Sequence, residues 1–204
     1  MITNNLKNRA RPFLLILIYL SSCLVLISCE STRIILNGDR PAYFTVNGNT
    51  ATLNGVLGKT AYKRFQKMFT KYPEIDTIIF MNTPGSENDE YNIPTALLLK
   101  EKTLTTKATD SSEIASGAVD LFLAGKNRIV EKNAKFGVHS WCSRKAEGRY
   151  IPKDSEEHML FLNYYKKIDI DSAFYWFTLE AAPSDSIHWM SWEEIIKYKI
   201  TTQH

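Results

Sequence analysis

Cysteine is scarce in this 204-residue chain, and little of it lies where a fold could use it. Of three cysteines, Cys23 and Cys29 fall in an N-terminal apolar segment, and Cys142 stands alone in the remainder. No disulfide framework is available, so the core must hold the domain together even in an oxidising compartment. Histidine is equally sparse: His139, His158, His188 and His204 are scattered, with no HExxH or paired Cys/His spacing, so no metal site and no cofactor are expected. Excess charge is missing too. Three of the 25 basic residues and none of the 22 acidic ones lie in the first 29 positions, which leaves the rest balanced and without the footprint of a nucleic-acid binder. There is no internal repeat and no low-complexity block. The longest apolar run falls short of the roughly 20 residues a spanning helix needs.

That run is nonetheless the clearest local feature. Lys7, Arg9 and Arg11 precede "FLLILIYLSSCLVLIS", Phe13 to Ser28, which is the layout of a secretory signal. Its end, Leu26-Ile27-Ser28-Cys29, resembles a bacterial lipobox. Leu20-Ser21-Ser22-Cys23 fits the same pattern, but five further residues, "LVLIS", follow Cys23, whereas polar Glu30-Ser31-Thr32 follows Cys29. The resemblance implies a signal peptide over 1–28, acylation (palmitate-type chains) at Cys29 and one mature domain over 30–204. It also implies an exported, lipid-anchored protein with the membrane as a partner. Glu30 is not the aspartate that retains such proteins at an inner membrane, so the outer membrane, facing the periplasm, is the expected address. The plainer alternative is an uncleaved anchor helix.

Beyond the segment, short strands alternate with helices. "RIILNG" and "AYFTVNGNTATLNG" read as strands punctuated by Asn-Gly turns. Tyr62, Phe65, Met68 and Phe69 recur at helical spacing, and Pro73 ends that helix. "DTIIFM" is a strand to Met81, "NIPTALLLKEK" a helix, "TLTTKAT" a strand, and a helix opens near Ser116. "NRIVEKNAKFGVHSW" supplies a strand, a turn and a strand ending near His139. Three more helices follow, capped by Asp154 or Ser155, by Asp171 and by Ser191. This alternation predicts a single α/β domain with a largely parallel sheet flanked by helices. In such sheets ligands bind beyond the carboxyl ends of the strands. Three features fall there: the Thr83-Pro84-Gly85-Ser86 loop, Ser116-Gly117 and His139.

Taken together, "IIFMNTPGS", "ASGAVDLFLAGKNRIVEKNAKFGVHSW" and "WMSWEEIIKYKI" resemble the Clp-protease/crotonase-like superfamily, in its serine-hydrolase branch and closest to a bacterial secreted or lipoprotein subgroup. The match runs from about Thr50 to Ile200. It implies a Clp/crotonase-like fold in which Ser116 is the nucleophile and His139 its general base. Backbone N–H groups of Gly85, Ser86 and Gly117 would hold the oxyanion. Taken alone, Ser116 reads more simply as a helix cap, although a helix start also offers unpaired donors beside its oxygen. Ser111 and Ser112 are poorer nucleophile candidates, and Ser86 departs from the family's second glycine, so its hydroxyl narrows the loop.

The third triad member is the open point. The family's acid falls near Ile187, which cannot orient an imidazole. Asp185 is the chosen carboxylate, with Asp169 and Asp171 as alternatives; a dyad helped by Ser186 or a backbone carbonyl is the other route. His188 is a candidate accessory group, His158 reads as a helix residue among acids, and Cys142 as a bystander. Tyr164, Tyr165, Phe174, Tyr175, Trp176 and Phe177 read as core and interface ahead of a substrate platform, and a homo-oligomer is expected. The expected function is an envelope-anchored serine peptidase acting on peptide or acyl substrates. The rivals are a catalytically silent binding lipoprotein on the same scaffold and, less favoured, an acyl-CoA hydratase or isomerase.

Overall fold

A computed structural model describes residues 40–143 and 146–203. The signal segment, Cys23, Cys29 and the strand read in "RIILNG" lie outside them. Strands β1 (Tyr43–Asn47) and β2 (Thr50–Asn54) form the hairpin that the Asn-Gly turn calls for, with Asn47 opposite Thr50. Helix α1 (Ala61–Lys71) buries Ala61, Phe65, Met68 and Phe69 on one stripe, and Pro73 stands just beyond its end. Tyr62 is only half-buried. The Phe65 ring meets Phe44 of β1 edge-on at 4.7 Å. Strand β3 (Thr77–Thr83) runs two residues past the expected end at Met81.

Helix α2 (Asp89–Glu101) starts three residues earlier than its apolar pattern suggests. The Asn88 side chain accepts from Glu90 N at 2.7 Å, and Asp89 and Glu90 sit in the first turn, so the polar "NDE" is a helix start. Pro94 therefore falls inside the helix. It removes one backbone donor, a loss the second turn of a packed helix withstands.

Seven strands form one sheet among the described residues, ordered β1-β2-β3-β4-β6-β7, with β5 also on β4. The pairs β2/β3, β3/β4, β4/β5 and β4/β6 are parallel. Only the edge pairs, β1/β2 and β6 with β7 (His188–Trp189), are antiparallel.

Strand β4 (Thr105–Ala115) is far longer than "TLTTKAT", because the polar run Asp110-Ser111-Ser112-Glu113 hides its second half. Its first half, Thr105–Ala108, pairs with β5 (Asn127–Val130), and its second, Glu113–Ala115, with β6 (Lys135–Val138). Between the halves β4 spends Thr109–Ser112 where β3 spends Met81 alone. Ser112, buried, clips this excursion. Its hydroxyl donates to the Phe80 carbonyl and accepts from Thr109 N. Ser112 is thus a structural residue.

Helix α3 (Gly117–Leu123) is buried along its whole length. Phe122 stands edge-on between Phe80 of β3 and Phe136 of β6, at 5.5 and 4.9 Å between centroids. Each such ring contributes roughly 1.5–3 kcal/mol by burial. α2 packs on both α1 and α3. Asp120 is the one charged residue in α3. Tyr164 donates its hydroxyl to the Asp120 carbonyl oxygen, and Tyr165 donates to Asp120 Oδ1.

Those tyrosines belong to α4 (Met159–Lys167), which follows a 3-10 turn capped by Ser155. Helices α5 (Ser172–Ala181) and α6 (Trp192–Lys197) are capped by Asp171 and Ser191 as expected. No helix among the described residues is long and apolar enough to cross a membrane. The chain end is pinned by buried Arg128 of β5, whose guanidinium donates to the carbonyls of Ile200, Gly125 and Lys199 at 3.0, 3.1 and 2.9 Å.

Two stability predictions follow from these contacts. Ser112→Ala removes the clip and leaves the buried Phe80 carbonyl without its partner. It should cost about 1–3 kcal/mol, read as a lower urea midpoint with an unchanged slope. Burial, aided by nearby Asp89, pushes the Asp120 carboxyl up to about 7, against the Tyr165 hydrogen bond. The folded chain then holds a proton that the unfolded chain releases near its ordinary value of about 3.9. Stability should therefore fall as pH rises from about 4 to about 7 and then level off. In Asp120→Asn this component of the slope should vanish, so the urea midpoint of the variant should gain on the native chain across that window.

Candidate functional site

Ser116 sits where β4 ends and α3 begins, with φ 53° and ψ −136°. This is sparsely populated backbone for a residue with a side chain, costing on the order of 1–3 kcal/mol. It is held there by Ser116 N donating to Gly137 O of β6 at 2.8 Å. The simple reading of Ser116 as a cap fails. Its side chain makes no cap hydrogen bond, and no other hydrogen bond among the described residues. The strain presents a hydroxyl that the fold itself does not use.

The loop after β3 lies directly against it. Gly85 has φ +141°, and a Cβ there would stand 2.9 Å from Ser116 Cβ and 3.4 Å from its Oγ. Gly117 is fixed from the other side: a Cβ on it would meet Ser86 Oγ at 2.2 Å and Asn92 Nδ2 at 2.7 Å. Asn92 Nδ2 donates to Gly117 O at 2.7 Å, tying α2 to the start of α3. Ser86 does occupy space over Gly117, but its hydroxyl is turned to Asp89 Oδ1 at 3.3 Å. The loop is anchored to the preceding chain: Leu57 N donates to Gly85 O and Glu87 N to Leu57 O, at 2.9 and 3.0 Å. The N–H groups of Gly85, Ser86 and Gly117 carry no hydrogen bond among the described residues. Three unbonded donors thus come from segments that meet at one hydroxyl.

A cavity of about 230 Å3 opens here, lined by Ser86, Ser116, Gly117 and His139 among others. The structure therefore brings the nucleophile candidate, the loop and the histidine to one wall. His139, just past β6, is half-buried, and its Nδ1 lies 2.8 Å from the Ser140 carbonyl oxygen. A carbonyl can only accept, so Nδ1 carries the proton and Nε2 is left as the basic nitrogen.

The expected carboxylate is not at Nδ1. Asp185 is exposed in the segment between α5 and β7 and makes no ion pair or hydrogen bond with His139. Ile187, in the family's acid position, packs on Gly137, where a Cβ would touch it at 2.7 Å. The other named acids are elsewhere: Asp171 caps α5 through Ala173 N, and Asp169 is exposed. What stands behind His139 is a backbone carbonyl, one of the alternatives open from the sequence. Trp141, which follows Ser140, donates its indole N–H to Tyr175 Oη at 2.8 Å, and Tyr175 Oη lies 2.6 Å from His158 Nδ1. His158 ends the 3-10 turn Glu156–His158, among the acids as expected, and its side chain is fully buried. His188 pairs with Glu194 at 2.9 Å and is committed there.

Sequence reasoning missed three carboxyl groups that line the cavity, Glu87, Asp89 and Asp120. Burial raises the Asp89 carboxyl above its ordinary value, while the Ser86 hydroxyl and the field of His139 pull it down. Asp89 is hidden in the sequence because an acid in a first helical turn needs no further reason. Asp120 had a visible signal, a lone charge within the apolar "GAVDLFLAG". The tyrosines meant for the core are there, yet Tyr165, Phe174 and Tyr175 also wall the cavity, and so does exposed Cys142.

No protein-family model matches the sequence, and no curated protein matches it. Solved structures do. An enoyl-CoA hydratase from Polaromonas sp. JS666 superposes with a TM-score of 0.50 at 12% identity, over 79% of this chain and 69% of that one. A putative enoyl-CoA hydratase from Streptomyces coelicolor A3(2) gives 0.46 at 8%, over 79% and 66%. The membrane-bound stomatin-specific protease 1510-N gives 0.47 at 13%, over 72% and 71%. At such identities the likeness is one of fold, and chemistry must be argued from the site. The superposition on the Polaromonas structure, together with the strand order and its split β4, shows that the chain has the Clp/crotonase-like fold.

Proposed function

We propose that this chain is a serine hydrolase, a peptidase in its natural role, held at the bacterial envelope by a lipid on Cys29. The observation that carries the reading is Ser116: a strained residue with an unused hydroxyl, facing unbonded backbone donors in a cavity that His139 also lines. In the proposed reaction His139 Nε2 takes the Ser116 proton as Oγ attacks the substrate carbonyl carbon. The N–H groups of Gly85, Ser86 and Gly117 bind the oxygen that becomes negative. His139 then gives the proton to the leaving amine as the C–N bond breaks. Water, deprotonated by the same nitrogen, releases the acyl group and restores Ser116.

The carbonyl behind His139 fixes the tautomer as a carboxylate would, but it brings no full charge to stabilise the imidazolium. Asp89 supplies part of that charge, since its carboxyl and His139 interact electrostatically. A slower enzyme than a full triad is the expected consequence. The lack of any ion pair or hydrogen bond between Asp185 and His139 also keeps the silent binding lipoprotein as the rival.

Labelling decides between them. A fluorophosphonate should leave its adduct on Ser116, mapped by mass spectrometry, and His139→Ala should slow labelling by about 10²–10⁴-fold. A well-folded native chain with no adduct moves the assignment to the binding reading. Gly85→Ala, which puts a side chain at φ +141° against Ser116, should lower kcat by about 10²–10³-fold, as loss of an oxyanion donor does. Asp185→Asn should leave kcat/KM within about twofold; a loss near the 10⁴-fold of a disrupted triad would restore Asp185 to His139.

A further inference from the structure

The cavity beside Ser116 has a chemical character that acyl transfer does not explain. Its walls are aromatic: Phe161 stacks on Trp141 at 6.1 Å and on Tyr175 at 5.3 Å, with Tyr165 and Phe174 beside them. Asp120 is set into this apolar surface. It is 8% exposed, lines the cavity, and lies one helical turn beyond Ser116. Its Oδ1 accepts from Tyr165, while Oδ2 has no hydrogen-bond partner among the described residues and is absent from the atoms sealed away from solvent. Glu87 and Asp89 add two more carboxyl groups to the lining, and no lysine or arginine among the described residues contributes to it.

These features discriminate among occupants. An apolar side chain would seal Oδ2 away from water with no donor in return, which is unfavourable. An anionic group would meet acidic groups and no lysine or arginine among the described lining residues to pair with. A side chain ending in a cation supplies N–H donors to Oδ2 and is attracted by the aromatic faces. The volume suits one side chain: about 230 Å3 exceeds the roughly 150 Å3 that accepts a benzene and falls below the roughly 300–1,000 Å3 of pockets for larger ligands.

We propose that this cavity is a subsite for a positively charged side chain, so that the substrate is a peptide with lysine or arginine on the acyl side of the bond that Ser116 attacks. Recognition of the cation is a binding property and is measurable without turnover. Only its placement beside the scissile bond rests on the hydrolase reading.

The test has two arms. In the first, N-acetyl-lysine methylamide and N-acetyl-norleucine methylamide are titrated calorimetrically into the full chain carrying Ser116→Ala. The lysine compound should bind at least tenfold more tightly, and adding Asp120→Asn should bring the ratio close to one. Equal binding, or tighter binding of norleucine, overturns the subsite; these ratios on the Ser116→Ala chain stand even if the second substitution fails to fold. In the second arm, the otherwise native chain is given peptides that differ only in that acyl-side residue. Lysine and arginine should exceed norleucine at least tenfold in kcat/KM, glutamine should fall between, and glutamate should be lowest. If Ser116 takes the fluorophosphonate but norleucine is preferred, the subsite falls and the hydrolase stands. If Ser116 takes no label while lysine binding is selective, the hydrolase falls and the cation site stands.

Discussion

One strand serving two neighbours on the same side is the constraint on which the site depends. Strand β4 gives its first half to β5 and its second half to β6, and between them it makes an excursion opposite Met81. Ser112 fastens that excursion to the Phe80 carbonyl. Without the break, β4 would run straight on from β5, and its end would not meet β6. With it, Ala115 lies beside Gly137, so Ser116, one residue on, and His139, two residues on, leave adjacent strand ends. The Ser116 N to Gly137 O bond then holds the strained turn at the level of the histidine.

Around that point small residues are demanded by contact. Gly85 and Gly117 are the places where the β3 loop, the β4 end and α2 come too close for a side chain. Three N–H groups, of Gly85, Ser86 and Gly117, stand unbonded among the described residues at this contact. Strain at φ 53° and unmet donors both oppose folding, and the buried helix α3 offsets them. Phe122, wedged between Phe80 and Phe136, anchors the helix whose first residue is Gly117. The geometry around Ser116 and the core packing are therefore one structure here, joined through seven residues of helix.

The second layer of the site is aromatic and couples to the first. Trp141 follows the Ser140 carbonyl that orients His139, and its indole is fixed by Tyr175, which in turn meets buried His158. The same rings wall the cavity that holds Asp120. A cluster that reads as core in the sequence is core on one side and pocket on the other, because α4 and α5 pack on each other, and α4 on α2, while the same residues bound the cavity.

The sequence alone was enough for what depends on local pattern. Alternating strands and helices, the caps at Asp171 and Ser191, the Asn-Gly hairpin and the loop bearing Gly85 are all encoded within a few residues. The order of "TPGS", "IASGAVD" and "GVHSW" placed Ser116 and His139 on one edge before any contact was known. Only the tertiary structure decided the rest. The second half of β4 reads as loop because its polar residues face outward, and Ser112 looks like any loop serine. Asp185 was chosen because a carboxylate can be sought by residue type, whereas the Ser140 carbonyl, which every residue possesses, leaves no mark in a sequence. Asp120 passed unremarked, and the burial of His158 left no sign in the sequence, for a related reason. The environment of a charged or titratable side chain is set by what packs over it, and here that comes from helices about 45 and 17 residues away along the chain.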